Sequence, residues 1–390
     1  MISVEQALKI IDENIRVAKP IKITLAHTFG LALSGDVMSS IDMPPFPQSA
    51  MDGYAVNLNG NTTFKLVGEV KAGDGHEPLL NKGEAIRIFT GAPVPATADL
   101  VIRQEDCEVS EDLLKANPLP KVGANIRPKA EQTVAGSLAL RKGQILNAAA
   151  IGYLATLGVA EVSVYPKPKV AILVTGNELV SPGQDLNYGQ IYESNAIMLQ
   201  SALANYGIEQ SDVFRVKDDY ESTREELRKM LSSYDVILCS GGISVGDYDF
   251  VGKALNELGT EELFYKIKQK PGKPLYFGKK NNALVFALPG NPAAALTCFN
   301  VYVIKALNLL SGKRKQGLVR VNKSITKDFV KKGERAQFLK AAICGDEVAV
   351  MEGQSSAMLH TYALSNALVY ISLEREYVAK GEMVECILIQ

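Results

Sequence analysis

Three apolar runs in the second half of the chain deliver carboxylates within a few residues of their ends. VAILV at 170–174 leads into TGNEL with Glu178, and DVFRV at 212–216 leads into KDDY with Asp218 and Asp219. DVILC at 235–239 leads into SGGISVGDYDF, which carries Gly241, Gly242, Ser244, Gly246, Asp247 and Asp249. A fourth run, ALVFAL at 283–288, leads into PGNP, formed by Pro289, Gly290, Asn291 and Pro292. Oxygen ligands of this kind suit a hard divalent cation such as Mg²⁺, which takes one or two carboxylates plus phosphate oxygens of a substrate. Glycine-rich backbone and a helix start, with Pro292 fitting its first turn, suit an anion. The combination describes a site for a phosphate ester and its metal. Glycine and aspartate also suit ordinary turns, and Asp249 and Asp218 are each placed to cap a following helix. SGGISVG lacks the GK[ST] ending of a Walker motif.

Such residues act together only if one scaffold brings the run ends to one edge. Helical patterns at 195–206, near 221–232, from 249 and at 292–310 alternate with the four runs. That alternation predicts a doubly wound parallel sheet with helices on both faces, whose ligands bind beyond the carboxyl ends of the strands. KIKQKPGKP at 266–274 adds cations. If 265–269 is extended, Lys266, Lys268 and Lys270 share one strand face, either as a rail for phosphate or as protection of an edge strand.

The expected class is α/β multidomain, in four regions. Residues 1–41 with 137–167 form a small helical unit, in which Ser3 and Gln6 make a capping box, Pro20 stops the opening helix, and NAAAIGYLATLG at 147–158 supplies a second helix. Residues 42–136, rich in Pro and Gly with β-like runs TFKLVGEV and EAIRIF, form an inserted β-rich domain. After the stiff linker YPKPK, residues 168–312 form the doubly wound domain, and 313–390 a C-terminal β domain.

Composition narrows the partners. With 42 Lys and Arg against 43 Asp and Glu, the chain has no overall electrostatic attraction to nucleic acid or a membrane. Its five cysteines form no CxxC pair and read as free thiols of a reducing cytoplasm; the amino terminus does not read as a signal peptide. Residues 281–304 carry no charge and are long enough to span a bilayer, but PGNP breaks them into a strand and a helix. The three histidines share no ligand spacing, and no serine sits in a G-x-S-x-G elbow.

Eight ordered stretches resemble the molybdopterin molybdenumtransferases of the bacterial MoeA family, to which the E domain of gephyrin is also similar. They are PPFPQSAMDGYAV, IFTGAPVP, NIRPKAEQTVAG, TGNELVSPG, GQIYESN, SGGISVGDYDF, KQKPGKP and LPGNPAAA. The resemblance implies an elongated homodimer of four-domain subunits, with sites shared between them. It implies a reaction of adenylylated molybdopterin with molybdate that yields molybdenum cofactor and AMP with Mg²⁺. It also suggests contacts with a molybdopterin adenylyltransferase and with molybdoenzyme apoproteins. Carried over residue by residue, Asp52, Thr90, Glu178, Asp218 and Asp249 are implied to be catalytic, Glu178 and Asp249 as metal ligands. Arg127, Lys266, Lys270, Lys273, Pro289, Pro292, Arg335 and Ser356 are implied to bind substrate, beside the glycine-rich loop and Gly290–Asn291. Ala130, Glu131 and Gln132 stand where the family has Gly-Glu-Asp, and Asn177 where an acidic residue is usual. Two other functions remain open on the sequence, an adenylyltransferase and a non-catalytic scaffold of the gephyrin E type.

Overall fold

In the computed structural model, which describes residues 1–243, 250–313 and 317–389, the fully apolar runs become buried central strands. A six-stranded sheet runs in the order Ser211–Val216, Val170–Thr175, Val236–Ser240, Ala283–Leu288, Tyr276–Lys280, Glu261–Tyr265. Its first four strands are mutually parallel, Tyr276–Lys280 runs antiparallel to them, and Glu261–Tyr265 pairs antiparallel with Tyr276–Lys280. Thr175 pairs with Val216 and Ser240 with Leu288, so all four parallel strands end level, and the loops that follow emerge at one edge.

Side-chain alternation divides the core between the two faces of the sheet. Val170, Ile172 and Val174 pack with the helix Asn195–Tyr206 and with Phe299 and Tyr302. Ala171 and Leu173 pack with Leu227 and Met230 of the helix Tyr220–Ser233 and Val251 of the helix Phe250–Glu257. Asp219, not Asp218, caps Tyr220–Ser233, its side chain accepting from the Ser222 N–H at 2.9 Å. Asp218 is thereby left free of a capping role. Asp249 lies outside the described residues, as do Ser244, Gly246 and Asp247.

The second region holds a six-stranded mixed sheet built around Gly53–Val56, Thr63–Val70 and Glu84–Ile88. In the last region, five strands close into a barrel, because Ala336–Cys344 pairs with both Glu347–Val350 and Ala367–Ile371.

Packing departs from expectation at the amino terminus. The capping box of Ser3 and Gln6 is present, but the helix Val4–Asn14 ends six residues before Pro20. Its apolar face, Val4, Ala7 and Ile11, enters the core of the doubly wound sheet rather than meeting the second helix, Ala148–Thr156. Lys305 anchors it through Asp12 at 2.7 Å, and Lys279 through Asn14 at 2.8 Å. The helix Ala148–Thr156 instead covers a small sheet of Ile21–Thr24, Ala32–Leu33 and Glu161–Tyr165. The expected helical unit is therefore substantially β.

The lysine segment also departs from expectation. Lys266 has φ +66°, which ends the strand at Tyr265, and only Gln269–Lys270 is extended again. No single strand face carries Lys266, Lys268 and Lys270. Gln269–Lys270 pairs with Ala336–Gln337 as an outer edge of the barrel, tying the two carboxyl-terminal regions together. Among the described residues, one helical stretch, Pro292–Leu310, is long and apolar enough to cross a membrane, and 89% of it is buried inside the protein.

Candidate active site

Beyond the level strand ends lies a cavity of about 700 Å³. Four of its walls come directly from strand ends: Thr175 and Glu178, Ser240 to Ile243, Lys270 to Pro274, and Pro289 to Pro292. A fifth comes from the barrel, through Arg335, Gln354 and Ser356. Thus Glu178, Gly241, Gly242, Lys270, Lys273, Pro289, Gly290, Asn291, Pro292, Arg335 and Ser356, which lie far apart in sequence, line one space.

The glycines have a local structural cause. Gly241 and Gly242 hold φ of +92° and +63°, and a Cβ on them would meet Thr175 O at 2.7 Å and Val251 Cγ2 at 2.8 Å. The loop can therefore leave the strand only by folding tightly over Thr175. Gly176, with φ +147°, lets the Glu178 carboxylate lie back over the backbone, within 2.9 Å of where a Cβ would stand.

Charge is divided across the cavity. Lys270, Lys273 and Arg335 supply cations, Arg335 donating to the Gln269 carbonyl at 3.3 Å. Glu178, which also lines the cavity, is exposed, and Asp218, within reach of its charge, is half-buried. Burial first, and then the neighbouring charge of Glu178, raises the Asp218 carboxyl above its ordinary range. Asn177, at the position where an acidic residue was expected, links the two loops by accepting from the Asp218 N–H at 3.2 Å. Two carboxylates that repel each other in this way suit a divalent cation, although no group of three metal-ligating side chains occurs among the described residues.

At the start of the helix Pro292–Cys298 the arrangement is more closed than the sequence implied. The Ala294 N–H already donates to the Ser356 carbonyl at 3.2 Å, and the Asn291 amide donates to the Ser356 hydroxyl at 3.0 Å. The anion-attracting end is thus partly occupied by the barrel loop.

Several lining groups had no charge pattern to reveal them. Asn195 donates to the Ser240 hydroxyl and to the Gly290 carbonyl, each at 2.8 Å, which leaves its own oxygen as an acceptor without a partner. Thr175 and Glu193 also line the cavity, and Thr175 Oγ1 and Glu193 Oε2 likewise have no hydrogen-bond partner among the described residues.

Comparison with known proteins covers nearly the whole chain. Residues 2–158 match the MoeA N-terminal region (domain I and II), 171–309 a probable molybdopterin binding domain, and 324–389 the MoeA C-terminal region (domain IV). A molybdopterin molybdenumtransferase of Staphylococcus epidermidis is 30% identical, over 99% of this chain and 95% of its own. One of Haemophilus influenzae is 34% identical, over 90% and 89%. The crystal structure of a molybdopterin biosynthesis MoeA protein from Pyrococcus horikosii superposes with a TM-score of 0.83 at 30% identity, covering 100% of this chain and 99% of that one.

The chain belongs to the MoeA family.

The remaining positions that the family resemblance marked do not line this cavity. Asp52 and Thr90 form an exposed pair in the second region, where Asp52 Oδ1 accepts from the Thr90 N–H at 2.7 Å and from its hydroxyl at 2.8 Å. The Thr90 amide, then its hydroxyl, hold the Asp52 carboxyl below its ordinary range. Arg127 is exposed on a two-residue strand paired with Gln48–Ser49. Lys266 lies against the Tyr265 ring at 4.5 Å and is absent from the cavity lining. Ala130, at the MoeA glycine position, adopts the left-handed conformation with φ +62°, and its N–H donates to Pro44 O at 2.9 Å.

Proposed function

We propose that this chain is a molybdopterin molybdenumtransferase that inserts molybdate into adenylylated molybdopterin and releases AMP. The observation that carries this reading is the cavity, where exposed Glu178 and the Gly241–Gly242 backbone meet Lys270, Lys273 and Arg335. A phosphoanhydride and an oxyanion need such a meeting of cations, glycine backbone and carboxylate.

Lys270, Lys273 and Arg335 bind the oxygens of substrate phosphate and molybdate. Ser356, held by Asn291 and Ala294, positions an oxyanion beside them. Glu178 and the neighbouring Asp218, with Asp249 as the family resemblance implies, would hold Mg²⁺, whose charge would offset that of the substrate phosphates. Asp52, Thr90 and Arg127 stand outside the cavity; in this reading they complete the site of the partner in a two-fold dimer. All five cysteines are free, which suits a reducing compartment, and we place the reaction in the cytoplasm. A molybdopterin adenylyltransferase as supplier of the adenylylated substrate, and molybdoenzyme apoproteins as acceptors, complete the proposed partners.

The test is AMP release. Purified protein given adenylylated molybdopterin and Mg²⁺ should liberate AMP when molybdate is added. A scaffold would release none with or without molybdate, and an adenylyltransferase would instead consume ATP and molybdopterin.

A further inference from the structure

Lys340 is a buried cation whose ammonium, among the described residues, donates only to carbonyls. It lies on the barrel strand Ala336–Cys344 with 4% of its surface exposed. Its ammonium donates to the carbonyls of Gly353 at 2.7 Å, Ser355 at 3.1 Å and Met358 at 3.1 Å. It forms no ion pair among the described residues. An ammonium has three protons and no acceptor capacity, so these three carbonyls use it completely.

The carbonyls belong to one loop, 353–358, and that loop supplies two lining residues of the cavity, Gln354 and Ser356. Gln354 repeats the attachment: its oxygen accepts from the Lys340 N–H at 2.9 Å and its amide donates to the Lys340 carbonyl at 2.9 Å. Gly353 turns with φ +75° into a space where a Cβ would lie 2.8 Å from Thr361 Oγ1. On its far side the loop grips the doubly wound domain, through Ser356 to Asn291 and Ala294. Residue 340 is therefore the point from which the barrel holds the loop against the start of the helix Pro292–Cys298.

We propose that Lys340 is a positioning residue for the substrate-anion site, fixing the 353–358 loop so that Ser356 and Gln354 face the cavity. The inference rests on the proposed reaction for its kinetic consequence, but not for its structural one. Carbonyls that converge on one ammonium repel one another once it is removed, and the desolvated loop carbonyls then lose their partners. The loop should open toward water while the barrel strands, held by their own ladders, remain closed.

The test uses the full-length protein with Lys340→Met, which keeps the stem and removes the charge, and Lys340→Arg, which keeps a donor. Hydrogen exchange of the loop amides and of Ala294 should accelerate on the order of tenfold or more in Lys340→Met, with the amides of Ala367–Ile371 unchanged. In AMP release, KM for adenylylated molybdopterin should rise about tenfold with kcat changed much less, and Lys340→Arg should recover most of the loss. Combining Lys340→Met with Ser356→Ala should cost little more than the worse single change, because both act through one loop.

Acceleration spread evenly over the barrel would make Lys340 an ordinary core residue and overturn the proposal. Additive losses in the double variant, or an open loop with unchanged KM, would also overturn it. If Lys340→Met does not fold, Gln354→Ala removes the second attachment, and the same exchange pattern is required of it. Wild-type protein that releases no AMP would refute the proposed reaction, while hydrogen exchange would still judge the loop.

Discussion

At single residues, charge at a strand end was readable and carbonyl-satisfied polarity was not. Glu178 is conspicuous because its type and its place after an apolar run point to metal chemistry, and Lys270 because it lies in the basic stretch KIKQKPGKP. Lys340, Thr175 and Glu193 sit within or beside β-like runs, where only the folded chain shows what surrounds them. Replacing Lys270 by Ala should weaken AMP binding and flatten its dependence on salt, since an exposed cation acts through screened Coulomb attraction. Titration calorimetry at two ionic strengths checks this, and equal salt slopes for variant and wild type would remove Lys270 from the anion site. Ala130 makes a second prediction. Its left-handed φ of +62° strains an alanine but not a glycine. Ala130→Gly should therefore stabilise the protein by about 0.5–1 kcal/mol, the strain relieved less the extra unfolded-chain entropy of glycine. A lower denaturant midpoint at unchanged slope would contradict it.

At the level of elements, caps and buried runs were legible, whereas the choice of packing partner was not. Ser3–Gln6, Asn147 and Gly158 marked helix ends because capping is local chemistry, and the runs VAILV, DVILC and ALVFAL marked central strands because both their faces are buried, whereas DVFRV became an edge strand with no buried residue. The opening helix was assigned the wrong neighbour: its apolar stripe of Val4, Ala7 and Ile11 says that it packs, not on what. The lysine segment misled in a different way. A period of two also describes a chain that turns at Lys266 and resumes at Gln269. Ile11 is completely buried among residues of the doubly wound core, so Ile11→Ala should cost about 2–5 kcal/mol, with the loss shared by that domain. Intrinsic fluorescence of the tyrosines and hydrogen exchange of Val170–Thr175 should report it together. Exchange that changes only in residues 147–165 would restore the helical-pair arrangement.

Across the whole molecule, the ordered motifs indicated the family, and the folded chain adds which motifs meet. Those of the doubly wound and barrel regions share one cavity, while Asp52, Thr90 and Arg127 are exposed outside it. In the proposed reading a two-fold dimer exchanges these surfaces, so that each subunit completes its partner's site. Asp52→Ala and Glu178→Ala proteins should each be inactive, yet subunit exchange between them should restore about a quarter of wild-type AMP release. Half of the randomised dimers are mixed, and each mixed dimer keeps one intact site. No recovery despite confirmed exchange would place both residues in one subunit's site. The most direct measurement of the central claim is a crystal structure of the protein with AMP, molybdate and Mg²⁺. The account predicts the AMP phosphate and the molybdate inside the cavity, on Lys270, Lys273, Arg335 and Ser356, with the metal at Glu178. Both anions bound elsewhere, with that cavity holding only solvent at saturating ligand, would contradict it.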